Sequence, residues 1–250
     1  MPVVLETNGL TKRFGGITAA NEVSLKIEKG ARYALIGPNG AGKTTVINLL
    51  TGVLRPSSGQ ILLDGFDITD VDAYARVHLG IARTFQINQL FADLTPVEAI
   101  GLAVSERMGT GKQWWRLVGR RREIVEDVTA LIEQFRLGDV MFHRTGILPY
   151  GKQRLLEIAL AIACRPRVLL LDEPAAGVPE AERHEILAAI AALPEDVTVL
   201  LIEHDMDLVF SFADRISVLV NGALFVEGTP DVVAKDPRVK AVYLGESIDV

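Results

Sequence analysis

Residues 37–44 read Gly-Pro-Asn-Gly-Ala-Gly-Lys-Thr and follow directly on the apolar run 31–36. A strand, a glycine-rich turn and a helix in that order make a phosphate-binding loop. Backbone N–H groups reach phosphate oxygens closely only where no Cβ intervenes. In this pattern Lys43 reaches the terminal phosphates as a point charge, and the Thr44 hydroxyl is the expected ligand for Mg²⁺. The stretch Asn39, Gly40, Ala41, Gly42, Lys43, Thr44 and Thr45 is the expected nucleotide cradle. The helix predicted over 43–53 adds the positive end of its dipole.

The surrounding composition bounds the possibilities. The chain has 250 residues, is 49% hydrophobic and carries a net charge of −6. That leaves ample material for a core. Without a basic block, bulk electrostatics argue against a nucleic-acid-binding module. A single cysteine, Cys164, excludes an internal disulfide and fits a reducing compartment. The start lacks the basic-then-apolar pattern of a secretory leader. No run reaches the roughly 18 apolar residues that a membrane helix needs. A cytoplasmic chain is the expectation.

Strand-like runs fall at 3–7, 23–27, 31–36, 60–63, 168–171, 197–202 and 215–220, several with helical patterns between them. Alternation of this kind predicts a largely parallel sheet covered on both faces. The early runs, closely spaced and separated by Gly15-Gly16, Lys29-Gly30 and Ser57-Ser58-Gly59, predict an antiparallel layer beside it. Residues 88–163 lack strong strands and read as an inserted helical subdomain. The pair Trp114-Trp115 in that segment suits either a helix corner or a partner surface, and Arg120-Arg121-Arg122 suits a solvated helix face.

Four further stretches carry chemistry. Val168-Leu-Leu-Leu-Asp-Glu-Pro174 is an apolar strand ending in two acids. Beside a phosphate loop, Asp172 is expected near Mg²⁺ and Glu173 where it can orient an attacking water. Thr198-Val-Leu-Leu-Ile-Glu-His-Asp205 ends a second apolar strand in His204, expected at the γ-phosphate. Gln86 follows a short strand in Ala82-Arg-Thr-Phe-Gln86, and its amide suits Mg²⁺ and water. Finally, Leu148-Pro-Tyr-Gly-Lys-Gln-Arg154 precedes a helix predicted over 155–164 and forms a second anion-binding turn. Two such turns in one chain suggest two subunits with a nucleotide between them.

With these motifs in this order the chain resembles the ATP-binding subunit of ABC transporters, and most closely the branched-chain (hydrophobic) amino-acid uptake group. The finer likeness lies in Thr11-Lys-Arg-Phe-Gly-Gly16, Arg83-Thr-Phe-Gln86, Tyr150-Gly151, Asp172-Glu-Pro-Ala-Ala-Gly177, Ile202-Glu-His-Asp-Met206 and Tyr243-Leu-Gly-Glu246. The resemblance implies an α/β fold: a RecA-like P-loop NTPase lobe with an antiparallel β subdomain (1–87 and 164–250) and an inserted helical subdomain (88–163). It implies ATP and Mg²⁺ as cofactors. It also implies an ATP hydrolase in which Lys43, Gln86, Glu173 and His204 act in catalysis and Thr44, Gln86 and Asp172 hold the metal.

Phe14 is implied to stack on adenine; a place in the hairpin core is the alternative. Tyr150, Gly151 and Lys152 are implied to complete the site of a second ATP-binding subunit, either an identical copy or a paralogue. Transmembrane permease subunits, and indirectly a substrate-binding protein, are the implied partners, with the chain peripheral on the inner face of the membrane. The segment 87–94 and the helical subdomain are the expected docking region. Alternatives within reach are an export or lipopolysaccharide-transport ATPase and a soluble ABC ATPase outside transport.

Two departures from the family pattern stand out. Pro149 replaces the usual signature serine, with Tyr150 and Lys152 also changed, and Pro179 stands where the family has Asp or Asn. Lys152 is expected either to replace the lost phosphate contact or to be solvated.

Overall fold

The structure, a computed structural model, describes residues 2–84, 90–109 and 122–244. In chain order these begin with strands β1 (Val3–Phe14), β2 (Ile17–Val23), β3 (Lys26–Glu28) and β4 (Arg32–Ile36) and helix α1 (Lys43–Leu50). Strands β5 (Ser58–Leu63) and β6 (Phe66–Asp67), helix α2 (Ala73–His78) and strand β7 (Ile81–Arg83) come next. Helices α3 (Pro96–Arg107), α4 (Arg122–Gln134) and α5 (Tyr150–Ala163) precede β8 (Val168–Asp172) and α6 (Glu180–Ala191). The last part holds β9 (Thr198–Ile202), α7 (Met206–Phe212), β10 (Arg215–Val220), β11 (Ala223–Gly228), α8 (Pro230–Lys235) and α9 (Pro237–Leu244).

The chain divides into two compact units, one of Met1–Arg83, Arg167–Glu173 and Pro194–Val250, the other of Thr84–Pro166 and Pro174–Leu193. Residues 174–193 thus group with the helical unit, whereas the sequence reading placed them with the lobe that carries the phosphate loop.

The first unit contains both sheets. One has six strands in the order β11-β10-β4-β9-β8-β7. Its four pairings from β10 to β7 run parallel, where β10 meets β4, β4 meets β9, β9 meets β8 and β8 meets β7. Every residue of β8 and of β9 is buried, as a strand covered on both faces requires. The second sheet is antiparallel, in the order β2-β1-β5-β6 with β3 also on β1. Leu10, Val46, Ile47, Leu50, Leu170 and Leu200 belong to one apolar core between these layers, and Ile36, Val209, Ile216 and Val218 to a smaller one. Burying a side chain of this kind contributes about 1.5–3 kcal/mol.

Several elements differ from the periodicity reading. The run 23–27 is broken: β2 ends at Val23 and β3 begins at Lys26. The Thr7 hydroxyl fills the gap, donating to Val23 O and accepting from Leu25 N–H. Strand β11 lies outside the apolar runs of the sequence, and Asn221-Gly222, at φ 47 and 81, makes the positive-φ turn that Asn-Gly signals between paired strands. Helix α1 ends at Leu50, short of Val53, and its last carbonyls are met by Arg76. That guanidinium is 1% exposed and donates to Leu49 O, Leu50 O, Ile68 O, Thr69 O and Val71 O. Burial pushes it below its usual range, with Asp70 opposing.

Among its described residues the second unit holds helices joined by turns and no strand. Thr95 and Glu98 form a reciprocal capping box that opens α3, with Pro96 in the first turn. Helix α5 starts at Tyr150, five residues earlier than expected. Its Glu157, a charge within an apolar stretch, is buried because Arg154 pairs with it at 2.7 Å. Arg122 of the basic run is solvated as expected. Trp114, Trp115 and Glu246 lie outside the described residues.

Candidate functional site

The parallel order of the six-stranded sheet brings the sequence-predicted groups to one edge. Strands β4, β9 and β8 are neighbours, and their C-terminal ends carry the phosphate loop, His204 and the Asp172-Glu173 pair. Crevices at the carboxyl ends of parallel strands are where ligands of such sheets bind.

The loop has the shape its composition demands. Gly42 is the N-cap of α1 at φ 99, and a Cβ there would lie 2.2 Å from Ala19 O. A Cβ at Gly37 would meet Leu219 O at 2.1 Å. No side chain caps α1, so the amides of its first turn, Lys43, Thr44 and Thr45, are the open donors of a helix N-terminus. Asn39, Gly40 and Thr44 are exposed, and Ala41 is buried beneath them. Lys43 is 8% exposed and folds over the loop, its ammonium donating to Gly37 O at 2.7 Å and Pro38 O at 3.1 Å. Burial lowers its pKa, with Glu173 and Asp172 pulling it back. A cation held among backbone carbonyls above open amides fits a phosphate chain.

The acids are differentiated by their surroundings. Asp172 is 2% exposed and paired with Arg83 at 2.7 Å. Glu173 is held at φ 48 by a hydrogen bond from its N–H to Ile202 O. A non-glycine residue in that region is strained, and such strain collects at functional sites. Its Oε1 lies 3.4 Å from His204 Nδ1. Glu173 can therefore act on a water while His204 holds its orientation. Among the described residues no group of three or more His, Cys, Asp or Glu could hold a metal. A Mg²⁺ ion on Thr44 and Asp172 would complete its shell with waters and nucleotide phosphates, its usual habit.

Phe14 is 48% exposed at the end of β1, with Lys12 Nζ 5.2 Å from its ring centre, so the hairpin-core alternative fails. Gln86 lies outside the described residues. In the second unit, Tyr150 lies at the start of α5 under the Arg154 guanidinium, 5.3 Å away. The Gly151 N–H donates to Glu182 Oε2 at 2.8 Å. Lys152 corrects its expectation. Its ammonium turns inward to Arg136 O at 2.7 Å and Asp139 at 3.3 Å, where a carbonyl and a carboxylate give it charge-assisted hydrogen bonds. Pro149 and Pro179 occupy the N-cap positions of α5 and α6 and offer no side-chain cap, and Glu182 supplies the missing acceptor to α5.

Sequence reasoning missed Arg83, Asn48, Arg76 and Glu182 as parts of these arrangements. Tyr243, though 37% exposed, has its phenol pKa pushed up to about 12 by partial burial, against a hydrogen bond from the Gly37 backbone.

A glycine-tight phosphate loop, an acidic strand and a histidine strand side by side define a nucleotide-binding ATPase subunit. The chain belongs to the ABC transporter family, which it matches over residues 20–176. Residues 224–249 match the branched-chain amino acid ATP-binding cassette transporter family. The high-affinity branched-chain amino acid transport ATP-binding protein BraF of Pseudomonas aeruginosa is 44% identical, covering 98% of both chains. LivG of Escherichia coli, described in the same words, is 39% identical over 98% of both. The crystal structure of a nucleotide-free ATP-binding cassette from an ABC transporter matches with a TM-score of 0.83 at 31% identity, covering 98% of this chain and 100% of that one. The ADP conformation of an ATP-binding cassette of an ABC transporter matches at 0.84 and 31%, with the same coverage. The fold is the nucleotide-binding cassette, and no described helix is long and apolar enough to cross a membrane.

Proposed function

We propose that this chain hydrolyses MgATP to drive a membrane transporter that takes up branched-chain or similar hydrophobic amino acids. The observation that carries this reading is the meeting of Lys43, Asp172, Glu173 and His204 at the ends of adjacent strands in a chain 44% identical to BraF. Lys43 and the first-turn amides of α1 hold the phosphates, and Phe14 offers its exposed ring to adenine. Thr44, Asp172 and Gln86 would hold Mg²⁺, which neutralises charge on the phosphates. Glu173 orients the water and accepts its proton, while His204 fixes the carboxylate. Tyr150 and Gly151, at the start of α5, face the nucleotide of a second ATP-binding subunit, identical or paralogous, while the Lys152 ammonium stays on Arg136 O and Asp139.

The partners on the membrane side are transmembrane permease subunits, which hold the chain at the cytoplasmic face and link it to a substrate-binding protein. Their docking surface includes Phe91, Phe142 and Ile147, which are 72%, 71% and 75% exposed. Backbone bonds from Gly146 to Ala92 O and from Thr145 to Leu94 O hold the segments of Phe91 and Ile147 together. Exposed apolar side chains clustered in this way favour a partner helix. The double variant Phe91→Glu with Ile147→Glu should fold, bind ATP and fail to co-purify with its membrane subunits. Cells carrying it should lose leucine uptake. Uptake indifferent to deletion of the whole gene would reject the import reading.

A further inference from the structure

Arg83 is the last residue of β7, the edge strand of the six-stranded sheet. It stands opposite Leu170 in the parallel ladder with β8. Residues two apart on a strand share a face, so Arg83, Leu170 and Asp172 lie on one side of the sheet. The guanidinium spans two acceptors there. Nη2 donates to Asp172 Oδ2 at 2.7 Å, and Nη1 donates to Asn48 Oδ1 at 2.5 Å. Asn48 belongs to α1, the helix that the phosphate loop opens. All of this is sheltered: the side chains of Arg83 and Asp172 are 10% and 3% exposed.

We propose that Arg83 is a positioning residue for the divalent cation: it clamps Asp172 to the phosphate-loop helix through Asn48 and leaves Oδ1 as the oxygen offered to the ion or its water. The inference rests on the reading of Asp172 given above. Three arguments support it. A planar guanidinium with two forward donors can bridge two fixed acceptors, whereas an ammonium acts as a point charge. Two cations, Lys43 and Arg83, balance two anions, Asp172 and Glu173, so the buried carboxylate is compensated before any nucleotide arrives. The cation arrives on a nucleotide whose phosphates leave the complex anionic, so a nearby guanidinium does not repel it. What Arg83 contributes is a fixed carboxylate, and partners that orient ligands in this way are typically worth about 10–100-fold in metal affinity.

The test measures binding of a fluorescent ATP analogue to the full chain as Mg²⁺ is titrated, beginning in chelator. Variants are Arg83→Gln, Arg83→Lys, Asn48→Ala and Asp172→Asn, each first checked for a cooperative thermal melt. Arg83→Gln and Arg83→Lys should bind the analogue without Mg²⁺ about as wild type does. Both should need about tenfold more Mg²⁺ for the half-maximal effect. Arg83→Lys keeps the charge and loses the bridge, so its shift reports geometry. Asn48→Ala removes the anchor without altering charge and should move the midpoint the same way; it carries the test if the Arg83 variants do not fold. An unchanged Mg²⁺ midpoint in the variants that fold overturns the proposal, and so does a lowered one, which would make Arg83 a competitor for the acid. If Asp172→Asn leaves the Mg²⁺ response intact, the assignment of Asp172 falls and the clamp with it. If Asp172→Asn moves the midpoint and the others do not, the clamp alone is wrong.

Discussion

Replacing Arg76 by leucine should destabilise the chain severely without touching the nucleotide loop. The guanidinium donates to five main-chain carbonyls from two segments, the end of α1 and the stretch 68–71. It is 1% exposed, so the carbonyls it meets are shielded along with it. Leucine restores volume but no donor, and each orphaned carbonyl then bears its desolvation cost. Breaking one side of a buried charged network typically costs about 3–5 kcal/mol. For a chain of this size each kcal/mol moves the melting temperature by about 2–4 °C, so the expected fall is about 6–20 °C. Arg76→Lys keeps the charge and part of the donor set and should fall between the two. Thermal unfolding by circular dichroism measures both. Nucleotide affinity at low temperature should survive, because Arg76 meets the C-terminal end of α1 and the loop opens the other end. A melt within about 2 °C of wild type for Arg76→Leu would refute the reasoning, since it bounds the loss near 1 kcal/mol.

Glu227 should give the stability a pH signature. Burial raises its pKa, yet hydrogen bonds from Arg215, Tyr33 and Ser217 outweigh that and hold it below the usual carboxylate range. A depressed native value means stability that is full above the unfolded pKa of about 4.3 and lost as pH falls below it. Glu227→Gln should therefore lower the melting temperature at pH 7 and lose less than wild type between pH 5 and pH 3; parallel curves for the two proteins would count against this. Glu182→Ala should remove the side-chain acceptor of the Gly151 N–H on the first turn of α5 and cost about 1 kcal/mol, read as a lower urea midpoint with an unchanged slope. An unmoved midpoint would show that water caps Gly151 equally well.

What the sequence discloses is what is local and periodic. The phosphate loop is contiguous, and its glycines are needed where a Cβ would collide with the carbonyl oxygens of Ala19 and Leu219. The strands ending in Asp172 and Ile202 are buried throughout and apolar but for Asp172 and Thr198 because they are central, so their order and the chemistry at their ends can be read together. What stays hidden joins distant residues through long polar side chains. Arg83 meets Asn48 and Asp172 across 35 and 89 positions. Glu182 reaches Gly151 across 31, and no pattern within one helix marks the pair. Arg76 looks like any basic residue near a helix end until the carbonyls of a second segment close around it. A turn that opens a helix marks Lys152 for a phosphate; Asp139 and the Arg136 carbonyl, which draw it away, lie beyond that motif. The Asn221-Gly222 turn is legible by its chemistry, a positive-φ pair between two antiparallel strands.

The central claim is that Glu173 acts on the attacking water at the end of the acidic strand. Its carboxylate pairs with His204 at 3.4 Å, and its backbone is held in a strained conformation beside Asp172. Glu173→Gln keeps size and hydrogen bonding and removes the base. Steady-state ATP hydrolysis by the purified chain, measured beside ATP binding, tests this most directly. The expected result is ATP affinity close to wild type, turnover lower by about 10²-fold or more, and an ATP-dependent dimer on gel filtration. Hydrolysis at the wild-type rate with ATP still bound would contradict the account.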